Sequence, residues 1–146
     1  MNREQTKTTE QPRTEPVEKL FTVAEANSAL VLIRKIVSDI VSEYRRLMSL
    51  RDEEQELASH IGQTNQLEQL GTEIERSVES LTSLHTELTD TGCVLKDWAR
   101  GLVDFPAEHE DRRIWLCWRM DEPQITHWHE LDAGFAGRKP VAPALI

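Results

Sequence analysis

The sequence predicts a mainly helical α+β protein: a long antiparallel two-helix hairpin followed by a small C-terminal β-hairpin and a Gly/Pro-rich tail. Three observations predict it. Apolar residues recur at alternating three- and four-residue spacing along two stretches, a polar break containing Gly62 separates them, and six of the eight aromatic residues fall after residue 97.

Residues 1–19 come first and read as a disordered arm. They hold Thr6, Thr8, Thr9, Thr14, Pro12 and Pro16, with Val17 the only aliphatic residue between Met1 and Leu20. So little apolar area does not offset the entropy of ordering the chain. Residues 20–146 are expected to form one domain, the hairpin over 20–100 and the ribbon with its tail over 101–146. Thr22 with Glu25 has the form of a capping box, which starts the first helix. Leu30, Ile33, Val37, Ile40, Tyr44 and Leu47 then make a helix-packing seam. Gly62, Thr64 and Asn65 supply a stop and a new N-cap. The second seam runs through Leu67, Leu70, Ile74, Ser77, Leu81, Leu84, Leu88, Thr91, Leu95, Trp98 and Leu102. Two arms of somewhat under 40 residues each would extend roughly 55 Å.

Beyond Gly101, Arg113–Arg119 and Gln124–Glu130 are strand-like, with Met120–Pro123 as a four-residue turn. In that register Trp115 faces Trp128, Arg113 faces Glu130 and Leu116 faces His127. His127 and His129 then share a face with Ile114, Leu116 and Trp118, and Trp128 lies on the other. An isolated ribbon is only marginally stable, so it must dock on the base of the hairpin.

Composition narrows the function. Seventeen Lys and Arg against 26 Asp and Glu give a net charge of −9. That balance opposes nucleic-acid binding, whose affinity comes from cations releasing counterions. No run approaches the ~18 apolar residues of a membrane span, and two cysteines are too few for a secreted disulfide scaffold. A cytoplasmic protein is expected. Cys93 and Cys117 read as small buried hydrophobes, and no catalytic residue is assigned.

The densest group of candidate ligands is His127–Asp132. Alternation along a strand projects His127 and His129 together, and Asp132 can supply an oxygen just beyond it. A divalent metal ion there needs further ligands, with Asp104, His109 or Asp97 as candidates. Gly134 and Gly137, if left-handed, would form an anion cradle beside Arg138. The blander arrangement pairs Arg138 with Asp132 or Asp104.

Several ordered stretches resemble one family. They are Phe21-Thr22-Val23-Ala24-Glu25-Ala26-Asn27, Gly92-Cys93-Val94-Leu95-Lys96-Asp97, Gly101-Leu102-Val103-Asp104-Phe105-Pro106-Ala107, Leu116-Cys117-Trp118 and Trp128-His129-Glu130-Leu131-Asp132-Ala133-Gly134-Phe135-Ala136-Gly137-Arg138. Together they resemble the prokaryotic family catalogued as domain of unknown function 2203, over essentially everything after residue 20. The resemblance implies a prokaryotic setting and no assigned activity. Its motifs include Asp97, Asp104, His129, Glu130, Asp132 and Arg138 and leave His127 outside. The candidate metal ligands are therefore His129, Asp132 and Asp104, with Glu130, Arg113, Asp97 and Arg138 as a surrounding polar network. Two functions are carried forward. The first is a non-catalytic interaction module, meeting a protein partner or a second copy through the hairpin. Val41, Met48, Val78 and Val94 beside its seams would be available to a second helix pair. The alternative is a metal-dependent, hydrolase-like or anion-binding site at the hairpin base.

Overall fold

The computed structural model describes residues 18–142 and residue 145. Of the expected arm, residues 1–17 lie outside that range. Helix α1 spans Val23–Ala58 and α2 spans Thr64–Asp90. Five strands follow: β1 Val94–Asp97, β2 Leu102–His109, β3 Arg112–Arg119, β4 His127–Glu130 and β5 Lys139–Pro140. They pair in chain order as one antiparallel meander. No helix among the described residues is long and apolar enough to cross a membrane.

The capping box forms at α1: Glu25 N–H donates to Thr22 Oγ1 and Thr22 N–H donates to Glu25 Oε1. α1 then carries two apolar stripes rather than one. Leu30, Ile33, Val37, Ile40 and Leu47 are buried along the expected seam, and Ala26, Ile36, Val41 and Leu50 are buried beside it. Two stripes let one helix pack on both α2 and the sheet. Val41, expected to be free for a second helix pair, is therefore used internally. Gly62, with φ +90°, turns the chain into α2. The α2 N-cap is Gln63, without a side-chain bond, rather than Thr64 or Asn65.

The second arm is shorter than its spacing predicts. α2 ends at Asp90, with Thr91 as C-cap and Gly92 at φ +99° just beyond it. Thr91 N–H bonds the Leu88 carbonyl and Gly92 N–H the Thr89 carbonyl, so a glycine stop closes the last turn. Cys93 thus lies at a helix–strand junction, not inside a helix. Leu95, Trp98 and Leu102 belong to β1, its turn and β2. Trp98 nevertheless packs back on the hairpin, its ring centroid 4.9 Å from His85 and 6.2 Å from Tyr44. A seam position is filled by a residue that is not helical, which is why the spacing runs on past the helix.

β2 contains Pro106 although it lies between β1 and β3. β1 pairs only with residues 102–104 of β2. The Pro106 carbonyl accepts from Phe21 N–H at 2.7 Å, away from β3. A residue's N–H and C=O point to the same side of a strand, so the missing donor of Pro106 faces an edge that β1 does not reach.

One face of the sheet, with Val103, Phe105, Ile114, Leu116, Trp118 and Trp128, packs against α1 and Phe21. Fully burying side chains of this size stabilises by roughly 1.5–3 kcal/mol each. α1 also fixes the β3–β4 connection. Asn27 Oδ1 accepts from Ile125 N–H at 2.7 Å, and Arg34 donates to the Glu122 and Pro123 carbonyls.

That connection runs from Met120 to Thr126, longer than the expected four-residue turn. The β3–β4 register accordingly differs by one residue: Trp115 pairs with His129, Leu116 with Trp128 and Cys117 with His127. A one-residue slip exchanges faces for the whole strand. Trp128 enters the core, 5 % exposed. His127 and His129 turn to the other face, with Trp115 and Cys117.

Gly101, at φ +70° in the β1–β2 turn, sits where α1 meets the sheet. An added Cβ would lie 2.9 Å from Met120 Cβ and 3.0 Å from Val37 Cγ1. Gly101→Ala combines a left-handed backbone cost with overpacking and should lose roughly 2–4 kcal/mol, read by urea denaturation; Gly71→Ala, with open space around it, should not destabilise.

Candidate metal centre

On the face turned away from α1, neighbouring strands bring three buried donors together. Asp104 comes from β2, Cys117 from β3 and His129 from β4. Asp104 and Cys117 are direct cross-strand partners, and His129 is the diagonal neighbour of Cys117 through the His127 pairing. Their exposures are 3 %, 2 % and 4 %. One donor atom from each lies within 4.8 Å of the other two.

His129 is held at both nitrogens. Nδ1 lies 2.8 Å from the Glu130 carbonyl, which only accepts, so Nδ1 carries a proton. Nε2 faces Asp104 Oδ2 at 3.0 Å. Locking one ring nitrogen on a backbone carbonyl and aiming the other into a donor cluster is how metal-binding histidines are oriented. Burial raises the Asp104 carboxyl above the usual carboxylate range, with the neighbouring His129 acting in the opposite direction. Burial pushes the Cys117 thiol up to about 12, and the adjacent Asp104 adds to the rise. Without an ion Cys117 is thus a neutral thiol and a poor nucleophile.

Tetrahedral zinc ligation at ~2.0–2.3 Å places donor atoms roughly 3.3–3.7 Å apart. The three donors need to close by at most roughly 1–1.5 Å, within side-chain reach, and one sulfur, one nitrogen and one oxygen suit a borderline-soft ion. Above them lies a cavity of about 210 Å³, walled by Leu102, Trp115, Leu131 and Phe135, with Lys96 at its side.

Residues 19–141 match the family described as "Uncharacterized conserved protein (DUF2203)". The chain belongs to the DUF2203 family. No curated protein and no solved structure matches it. In this DUF2203 protein the three donors come one each from the stretches Gly101–Ala107, Leu116–Trp118 and Trp128–Arg138.

The structure thus joins two of the three expected ligands, His129 and Asp104. Asp132 is exposed and outside the cluster, and Cys117 stands where it was expected. His127 shares the face but lies nearer Glu122, at 3.9 Å. His109 stacks near Trp128 on the core side, at 5.6 Å.

The expected polar network separates into local pairs. The register shift gives Glu130 to Arg112 at 2.6 Å instead of Arg113, which pairs with Glu18. Asp97 Oδ1 accepts from the Ala99 and Arg100 N–H groups at 2.9 Å and shapes the β1–β2 turn. Arg138 donates to both Glu122 oxygens at 2.7 Å, not to Asp132 or Asp104. Gly134 has φ −101°, and among the described residues positive-φ glycines occur only at 62, 92 and 101, so the expected left-handed anion cradle does not form.

Removing the imidazole leaves Asp104 buried without its partner. His129→Ala should therefore cost about 3 kcal/mol with chelator present, measured by denaturant unfolding, whereas Asp132→Ala should stay within about 0.5 kcal/mol.

Proposed function

We propose that this protein binds a zinc ion through Asp104, Cys117 and His129, leaving one coordination position open to a small ligand in the adjoining cavity. The observation that carries this reading is the convergence of three buried donors of different chemistry from three strands, beside a cavity rather than under packed side chains. Closed structural sites use four protein ligands; three with an adjacent cavity fit the open type.

Ligand binding fits better than hydrolysis. An aspartate and a thiolate would offset the charge of a divalent ion and so reduce its acidification of a bound water. Glu130, the carboxylate next to His129 in sequence, is paired with Arg112, and its strand position alternates away from the cluster, so it is not placed to act as a general base there. The protein purified without chelator should hold about one zinc per chain, measured by elemental mass spectrometry. His129→Ala and Cys117→Ala should lose the metal while Asp132→Ala keeps it. Metal-free protein that takes up no added zinc contradicts the reading.

A second reading, the interaction module, is supported by the hairpin beyond the sheet. A groove of about 500 Å³ between α1 and α2 is lined by Tyr44, Leu47, Met48, Val78, Leu81 and Trp98, among others. Val78 there is 39 % exposed. Tyr44 and Met48 are only half-buried there, and a second hairpin would cover the groove as a four-helix dimer. Sedimentation equilibrium should show a dimer that Val78→Glu dissociates; a strict monomer contradicts this role.

A further inference from the structure

The walls and rim of the cavity beside the three donors carry chemistry that the ion alone does not use. Trp115 and Phe135 supply aromatic surface, and Leu102 and Leu131 supply aliphatic surface. Three cations stand near the cavity. Arg119 is engaged by Asp121, and Arg138 by both oxygens of Glu122 while it stacks on Phe135 at 4.4 Å. Lys96 is different: among the described residues it has no carboxylate within ion-pair distance. Its ammonium lies 5.3 Å from the Trp115 ring centroid, at the side of the cavity. Lys96 is solvent-exposed at the side of the cavity, so its ammonium can meet an anion that enters beside the Trp115 ring.

We propose that the cavity takes a small monocarboxylate, one end on the open position of the zinc and the Lys96 ammonium, the hydrocarbon between Trp115 and Phe135. The inference rests on the zinc reading above and adds the class of ligand. Zinc with the Asp104 carboxylate and the Cys117 thiolate is electrically neutral, so one ammonium balances one negative charge. A phosphate dianion would need more donors, and the Gly134–Gly137 backbone does not provide a cradle of N–H groups. A cavity of about 210 Å³ lies below the roughly 300–1,000 Å³ of drug-sized ligand sites and suits a ligand of about ten non-hydrogen atoms at most.

The test titrates the full-length, zinc-loaded protein with benzoate, its uncharged isostere benzamide, acetate and inorganic phosphate, read by amide and indole NMR shifts, with zinc content measured on the same samples. Benzoate should shift the Trp115 indole and the Gly134 amide, with benzamide about tenfold weaker. Lys96→Met should weaken benzoate by about tenfold while its zinc content stays equal to that of the parent. Zinc-loaded protein that ignores both benzoate and acetate, binds benzamide equally well, prefers phosphate, or binds benzoate unchanged in Lys96→Met overturns the proposal and leaves the zinc reading standing. Protein without zinc that still shows Lys96-dependent benzoate binding supports the carboxylate site and contradicts the zinc reading. Absence of both zinc and benzoate binding overturns the two together.

Discussion

The seat of Trp128 in the core is the constraint on which the rest of the sheet depends. Its ring packs opposite Leu116, and its indole N–H donates to the Pro140 carbonyl at 3.2 Å. Burying so large a side chain fixes the register of β4, and strand alternation then sends His129 to the opposite face. α1 reinforces the same register from a distance. Asn27 and Arg34 hold the backbone of the β3–β4 connection, and Trp118 Nε1 donates to the Glu122 carbonyl at 2.9 Å. The helix start, the core and the donor cluster are one mechanical unit, so an error in seating Trp128 would remove His129 from Asp104 and Cys117.

Stability alone does not account for the cluster. A buried acid–imidazole pair loses its hydration, and well-packed apolar residues of similar volume are often as stabilising or more so. Here the same three positions hold a carboxyl raised by burial, a thiol raised to about 12 and an imidazole fixed at both nitrogens. That chemistry would become favourable if the proposed ion replaced the shared proton and the thiol proton, because the donors would then satisfy one another through the metal. Glu122 shows the contrasting, structural use of charge. It accepts from Arg138 and from the Arg119 N–H at 2.8 Å, and ties the tail to the β3–β4 loop.

Much of the fold was legible because it rests on local signals. The Thr22–Glu25 capping box, the α1 seam, the break between the helices and the α2 seam to Leu88 all lie where short-range pattern places them, although α1 stops at Ser59, ahead of Gly62. The seam extrapolated past Leu88 because Trp98 fills a helix-packing position from a turn; the opposing signal was Gly92, a glycine stop with threonines at 86, 89 and 91 before it. β2 escaped the reading because Pro106 argues against a central strand unless the length of β1 is known. With β2 unrecognised, the pairing of Asp104 with Cys117 was out of view. Residue type alone still points to Asp104 and His129, whereas nearness in sequence points to Asp132 and only cross-strand neighbourhood points to Cys117. The register slip has the same origin: loop length, not strand composition, decides which face a histidine takes.

In the proposed site β2, β3 and β4 each contribute one donor of different chemistry to a single ion. X-ray absorption at the zinc edge tests it most directly, since it counts sulfur against lighter ligands. The proposed site requires one sulfur at ~2.3 Å with nitrogen or oxygen ligands at ~2.0–2.2 Å. A shell of nitrogen and oxygen without sulfur would remove Cys117 from the site and contradict it.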